Sequence, residues 1–185
     1  MVLLNRWRAE RNLRARAAAY AAAIAAEPDE ELARWLSQVA TGGDLDHAAW
    51  ELRYARRALG LLAAERDSLD DLTPSLVASA LSEEFRRDPA IAADRAPLAE
   101  RQFNQRLSAY RTAVREREPG RTTAERVAAA LLRFAGSLNP EPEVEQRLAR
   151  VAAEFLTAAN EDLRRAFGEA SLPEDVRPSS IPRRG

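Results

Sequence analysis

The chain has 185 residues, 28 basic against 29 acidic, for a formal net charge of −1 and a pI near 6.0. Apart from His47 every basic side chain is arginine, and cysteine is absent. That removes Schiff-base and P-loop lysines, cysteine nucleophiles and thiolate zinc sites, and leaves any serine triad or imidazole metal site to rest on His47 alone.

Helical patterning runs along the whole chain and nothing reads as a strand, because valine and isoleucine are few, alternation is missing and Gly and Pro fall between helical stretches. The first helix is predicted from about Leu3 to Ala26, closed by Glu27-Pro28, with Leu13, Ala17, Tyr20 and Ile24 on one stripe. A short second helix begins at Pro28. Asp29, Glu30 and Glu31 occupy its first turn, where the helix dipole favours carboxylates, and Gly42-Gly43 stops it. Leu32, Trp35, Leu36 and Val39 form its buried face.

The third helix opens after Asp44 or Asp46 and runs to about Arg66. It carries Trp50, Tyr54, Ala58 and Leu61 on one stripe with Leu52, Leu59 and Leu62 beside it, a face wide enough to place this helix at the centre. Thr73 is the expected N-cap of the fourth, with Pro74 at N1, Leu72 set to staple against Val77, and Leu81 and Phe85 buried. Asp67, Asp70 and Asp71 read as an acidic helix end leading into that cap. Residues 88–96 form the expected linker, with room for one helical turn.

Three further segments repeat a 4-3-4 apolar spacing: Phe103, Leu107, Tyr110 and Val114; Val127, Leu131, Phe134 and Leu138; Val144, Leu148, Val151 and Phe155. Pro119-Gly120 and Asn139-Pro140 separate them, and Thr122 with Glu125 makes a capping-box pattern. The expected fold is all-α, a bundle of about six or seven mostly antiparallel helices. It is read as a single domain over residues 1–167, with sub-bundles at about 1–87 and 97–167 and a disordered tail over 168–185.

Alanine supplies 39 of the residues in the 46% apolar class, so the core is expected to be thin and rich in alanine contacts. Arginine without lysine, together with so much alanine, is the pattern of a GC-rich bacterial genome. Many of these arginines stand where another genome would write lysine. The nearest approach to a membrane span is Ala17 to Ala26, far short of the roughly 20 apolar residues required. Lack of cysteine fits a reducing cytoplasm, the expected location.

Candidate sites are few. Asp44, Asp46, His47 and Glu51 form the densest cluster of reactive side chains. His47 and Glu51 lie one helical turn apart on the same side, so a carboxylate there orients an imidazole or shares a cation with it. The alternative account is N-terminal capping by the aspartates, with the other two facing water. Arg6, Arg8, Arg11, Arg14 and Arg16, opposed by Glu10 alone, are the candidate anion-binding residues, although 100° per residue spreads them around the helix. Leu3, Leu4 and Trp7 lie off the Leu13-Tyr20-Ile24 stripe and are the candidate interface residues. Arg53, Arg56 and Arg57 are expected to pair with Glu51, Glu65 or other carboxylates.

The function this inventory favours is non-enzymatic: a helical protein-binding or self-associating module, with no cofactor. One alternative is a nucleic-acid-binding or regulatory protein using the arginine-rich first helix. The other is a ligand- or metal-binding protein or enzyme centred on His47 and Glu51.

Overall fold

Carboxylates and one threonine set where most of the helices begin. The computed structural model describes residues 2–68 and 70–168, with side chains throughout except those of residues 2–6 and Ala9. Among these residues there are seven α-helices, one 3-10 turn and no strand. They are α1 (Val2–Ile24), α2 (Glu30–Val39), α3 (Leu45–Asp67), α4 (Leu72–Arg87), α5 (Ala96–Arg115), α6 (Thr123–Phe134) and α7 (Pro142–Phe167), with the 3-10 turn at Ala93–Arg95 before α5.

The Asp29 carboxylate accepts the Leu32 N–H at 2.8 Å and caps α2, and Asp44 does the same for α3 through the His47 N–H at 2.9 Å. Between them Gly42 and Gly43 both take positive φ, which lets the chain reverse within the five residues that separate the helices. Thr122 and Glu125 form a complete capping box on α6.

The start of α4 departs from expectation. Thr73 lies inside the helix rather than capping it, and the Asp70 carboxylate takes both the Thr73 N–H at 2.6 Å and its hydroxyl at 2.9 Å. A carboxylate three residues upstream is a stronger acceptor than the threonine hydroxyl and is within reach, so the helix starts two residues earlier, at Leu72 rather than Pro74. Leu72 is left exposed, although Val77, Leu81 and Phe85 are buried as the spacing requires.

One hydrophobic core takes side chains from all seven helices, and α3 lies at its centre. From Glu51 to Ala64 only Arg53 and Arg56 escape burial outright. Alanines 48, 55, 58, 63 and 64 make the helix thin enough for neighbours to approach on every side. Gly60 is the closest approach. The Tyr20 hydroxyl donates to its carbonyl at 2.8 Å, and a Cβ there would sit 2.7 Å from two carbons of Ile24.

Pair contacts give the directions. Glu27 meets Arg53, the Ala23 carbonyl accepts from Arg56 and Tyr20 reaches Gly60, so α1 runs antiparallel to α3. Arg66 reaches Asn160 near the far end of both helices, so α7 runs parallel to α3. Arg106 and Arg111 of α5 reach Glu51 and Glu65 of α3, two ion pairs that fix α5 against the central helix.

The bundle consequently has two distinct ends. At one, the α2–α3 and α6–α7 turns adjoin. His47 lies against the Phe134 carbonyl, and a Cβ on Gly136 would be 3.5 Å from the Ala40 carbonyl oxygen. At the other, α3 and α7 finish and α1 continues past them toward its N-terminus. Gly168 closes α7 with φ +86°, and its N–H bonds the Arg164 carbonyl at 2.8 Å. Residues 169–185, where the tail was expected, lie outside the described residues. No described helix is long and apolar enough to cross a membrane.

Candidate functional site

His47 and Glu51 do come together, but within a network that the local sequence does not reveal. His47 sits in the first turn of α3 and its side chain is 39% exposed. Its Nε2 lies 3.2 Å from the Phe134 carbonyl oxygen, the open C-terminus of α6, and 3.4 Å from Glu51 Oε1. One turn further in, Glu51 is 1% exposed and both its oxygens are held by Arg106 from α5, Nη2 at 2.5 Å and Nε at 3.0 Å. This is the two-pronged arginine–carboxylate geometry that fixes orientation as well as distance.

The guanidinium is then clamped from its faces. Phe134 and Tyr54 present their rings to it at 4.6 and 5.1 Å, and Nη1 donates to the Gln102 carbonyl at 3.3 Å. Tyr54 in turn donates its hydroxyl to Gln102 Oε1 at 3.1 Å. Burial works against the charge on Arg106, yet the hydrogen bonds and charge of Glu51 more than offset it and raise the guanidinium pKa above its ordinary value. Tyr110 completes the cluster, fully buried with no partner for its hydroxyl; burial first, then the Glu51 charge, raises its pKa.

The Glu51 carboxylate is committed to structure: each oxygen accepts one bond from a guanidinium that stays charged in the working range, and Oε1 also faces His47 Nε2. Asp44 is engaged in capping, and Asp46 is exposed in the first turn of α3. Among the described residues no three histidine, aspartate or glutamate side chains converge to hold a metal ion. The arrangement pins α3, α5 and α6 together.

Signals for the missing partners were present in faint form. Arg106 stands three residues after Phe103 and four before Tyr110, inside an apolar stripe. Glu51 stands three after Ala48 and four before Ala55. A charge on a core stripe is the mark of a buried pair, but which charge meets which is set by the crossing of α5 over α3.

Of the three arginines near Tyr54, two pair with carboxylates as expected, though with neither Glu51 nor Glu65, and Arg56 takes a backbone carbonyl instead. Arg53 binds Glu27 and lies over Trp50, Arg56 donates to the Ala23 carbonyl, and Arg57 binds Asp88 at 3.1 Å. The periodicity of α3 explains this. Glu51 and Glu65 are fourteen residues apart and so point within about 40° of each other, toward α5, while residues 53, 56 and 57 project from the other side. Arg57 is buried with its Nε and Nη1 unpartnered and its guanidinium 4.7 Å from the Phe85 ring centroid.

The other candidates lie on α1. The helix enters the core only at Ala17, followed by Tyr20, Ala21 and Ile24. Before that, from Trp7 to Arg16, Leu13 alone is even half-buried among the described side chains. Trp7 is 57% exposed, with the Arg11 guanidinium over its ring at 4.7 Å. Arg8, Arg11, Arg14 and Arg16 are all exposed, and Arg14 pairs with Glu10 at 2.7 Å. The side chains of Leu3, Leu4 and Arg6 lie outside the described residues. A groove of about 600 Å³ between α1 and α4, lined by Arg14, Ala18, Leu76, Ala80 and Glu83 among others, opens beside this segment. Comparison with known protein families, with curated proteins and with solved structures gives no significant match to this chain.

Proposed function

We propose that the protein is a self-associating helical module and that the exposed N-terminal half of α1 is its docking element. The observation that carries the reading is the exposure of that segment, with Trp7 57% accessible. Ten residues of helix in which, among the described side chains, Leu13 alone is half-buried gain little from packing, and isolated helices shorter than about 12–15 residues are marginal in water. A helical arm of this kind is stabilised by what it docks on. A large exposed aromatic beside arginines is the composition of an interface centre rather than of a solvated surface. The interior offers less to chemistry, since the one histidine leads only to a carboxylate already held by Arg106.

Light scattering on a size-exclusion column, with absorbance read at 260 and 280 nm, tests this. The expected result is a mass that rises with concentration, a protein-like absorbance ratio, and a monomer when Trp7→Ala and Arg11→Ala are combined. A monomer at every concentration refutes self-association. Excess 260 nm absorbance on such a monomer transfers the arginines to the nucleic-acid reading, in which affinity falls steeply with salt.

A further inference from the structure

Building on the docking role of α1, we infer that its partner is a second copy of this chain joined head to tail, the arm of one molecule seating on the opposite end of the next. The two ends of the bundle are complementary in two independent ways. The first is charge. The arm carries four exposed arginines, Arg8, Arg11, Arg14 and Arg16, against Glu10. At the far end, where the α2–α3 and α6–α7 turns meet, Asp44, Asp46, Glu141 and Glu143 are all exposed, with Arg133 the exposed opposing cation on the adjoining stretch of α6.

The second is apolar surface. That same end holds Leu138, 77% exposed, and Leu45, 43% exposed. Leu138 lies in the α6–α7 turn and Leu45 opens α3, the two segments that His47 and Phe134 bring together. Large exposed apolar side chains ringed by polar residues mark sites of association. Trp7 supplies the matching group on the arm, and opposite charges around both set the register and suppress the like-end pairing, in which arginines would face arginines.

Direction follows from the fold. Because α1 runs antiparallel to α3, its N-terminus leaves the bundle at the end opposite Leu45, so the arm does not reach the leucine end of its own molecule. A contact between unlike surfaces is heterologous and leaves each pair with one free arm and one free leucine end, so association continues to chains or closes to rings. One helix end on one small patch lies at the low end of interface size, so growth depends on concentration.

Complementary variants decide the matter. One carries Trp7→Asp with Arg11→Glu and loses the arm; the other carries Leu138→Arg with Leu45→Gln and loses the receiving end. All four positions are exposed, and a helical circular dichroism spectrum with a cooperative melt is the check that both variants fold. Wild type is expected to exceed the mass of two chains as concentration rises, and each variant alone to remain monomeric. An equimolar mixture should form a complex of two chains that grows no further. If the receiving-end variant still dimerises alone, the arms pair with each other: head-to-tail joining is overturned and the docking role of α1 stands. If the arm variant associates as wild type does, or wild type stays monomeric, both are overturned.

Discussion

Replacing Glu51 by glutamine keeps the shape of the side chain and removes its charge, which isolates what the buried pair with Arg106 contributes. The arginine side chain is 11% exposed and the glutamate side chain 1%, so neither charge has water to fall back on. In the variant one oxygen still accepts from the guanidinium, but the other prong meets an amide that is itself a donor, and the positive charge stays buried without its counter-ion. Breaking one partner of a buried pair costs about 3–5 kcal/mol. For a chain of this length each kcal/mol lowers Tm by about 2–4 °C, which gives a fall of about 6–20 °C. The double variant Glu51→Met, Arg106→Met removes both charges together, and well-packed apolar replacements of such pairs are commonly neutral or stabilising. It is expected within about 2 kcal/mol of wild type. Urea unfolding followed by circular dichroism at 222 nm measures all three. A Glu51→Gln protein within about 1 kcal/mol of wild type would refute the reasoning, because water or a shifted partner would then be compensating Arg106.

Gly60→Ala sets a helix-propensity gain of about 1 kcal/mol against the clash of the new methyl with Ile24 and the strained Tyr20 hydrogen bond. Overpacking costs about 1–3 kcal/mol, so net destabilisation is expected. A double-mutant cycle with Ile24→Ala should show a coupling above about 0.5 kcal/mol; additive effects would mean that α1 shifts freely. Burial is the main cause that raises the pKa of Tyr20, Tyr54 and Tyr110 above the ordinary 10.0, so the folded state holds their protons more tightly than the unfolded state. Their contribution is complete below pH 10 and is lost as pH rises above it. Absorbance at 295 nm should therefore show phenolate appearing only together with loss of helix, and a tyrosine titrating near 10.0 in folded protein would contradict this. Thr122→Ala removes one half of the α6 capping box and should cost about 1 kcal/mol by the same urea assay, whereas Ser at that position should restore it.

The elements were legible because their starts and stops are short-range chemistry. Asp29, Asp44 and Thr122 act within three or four residues of where they stand, and the 4-3-4 stripes of α5 to α7 name their buried faces except at Leu138, which lies past the end of α6 at Phe134 and is exposed. The width of the apolar face on α3 told of its central place for the same reason. What the sequence held back was long-range. Asp70 outcompeting Thr73 required knowing how the chain turns after α3. The Glu51–Arg106 pair joins residues 55 apart and depends on a crossing angle that no local pattern encodes. His47 and Glu51 were visible as neighbours, yet their role changed from a candidate reactive pair to a structural pin once the third member was in place. Trp7 stood apart from the core stripe in the sequence and stands outside the core in the fold.

The central place of α3 bears on how the chain is made. Its flanks are covered partly by α1, α2 and α4 and partly by α5, α6 and α7, the last of which ends at residue 167. On a ribosome adding about 5–20 residues each second, α3 emerges complete long before its second set of neighbours has been synthesised. For several seconds one side of an alanine- and leucine-rich helix faces solvent with nothing to cover it. Emergence of α7, rather than synthesis of the first four helices, is then the step at which this bundle acquires its fold, and a truncation before α7 yields a target for chaperones and proteases instead of a smaller domain.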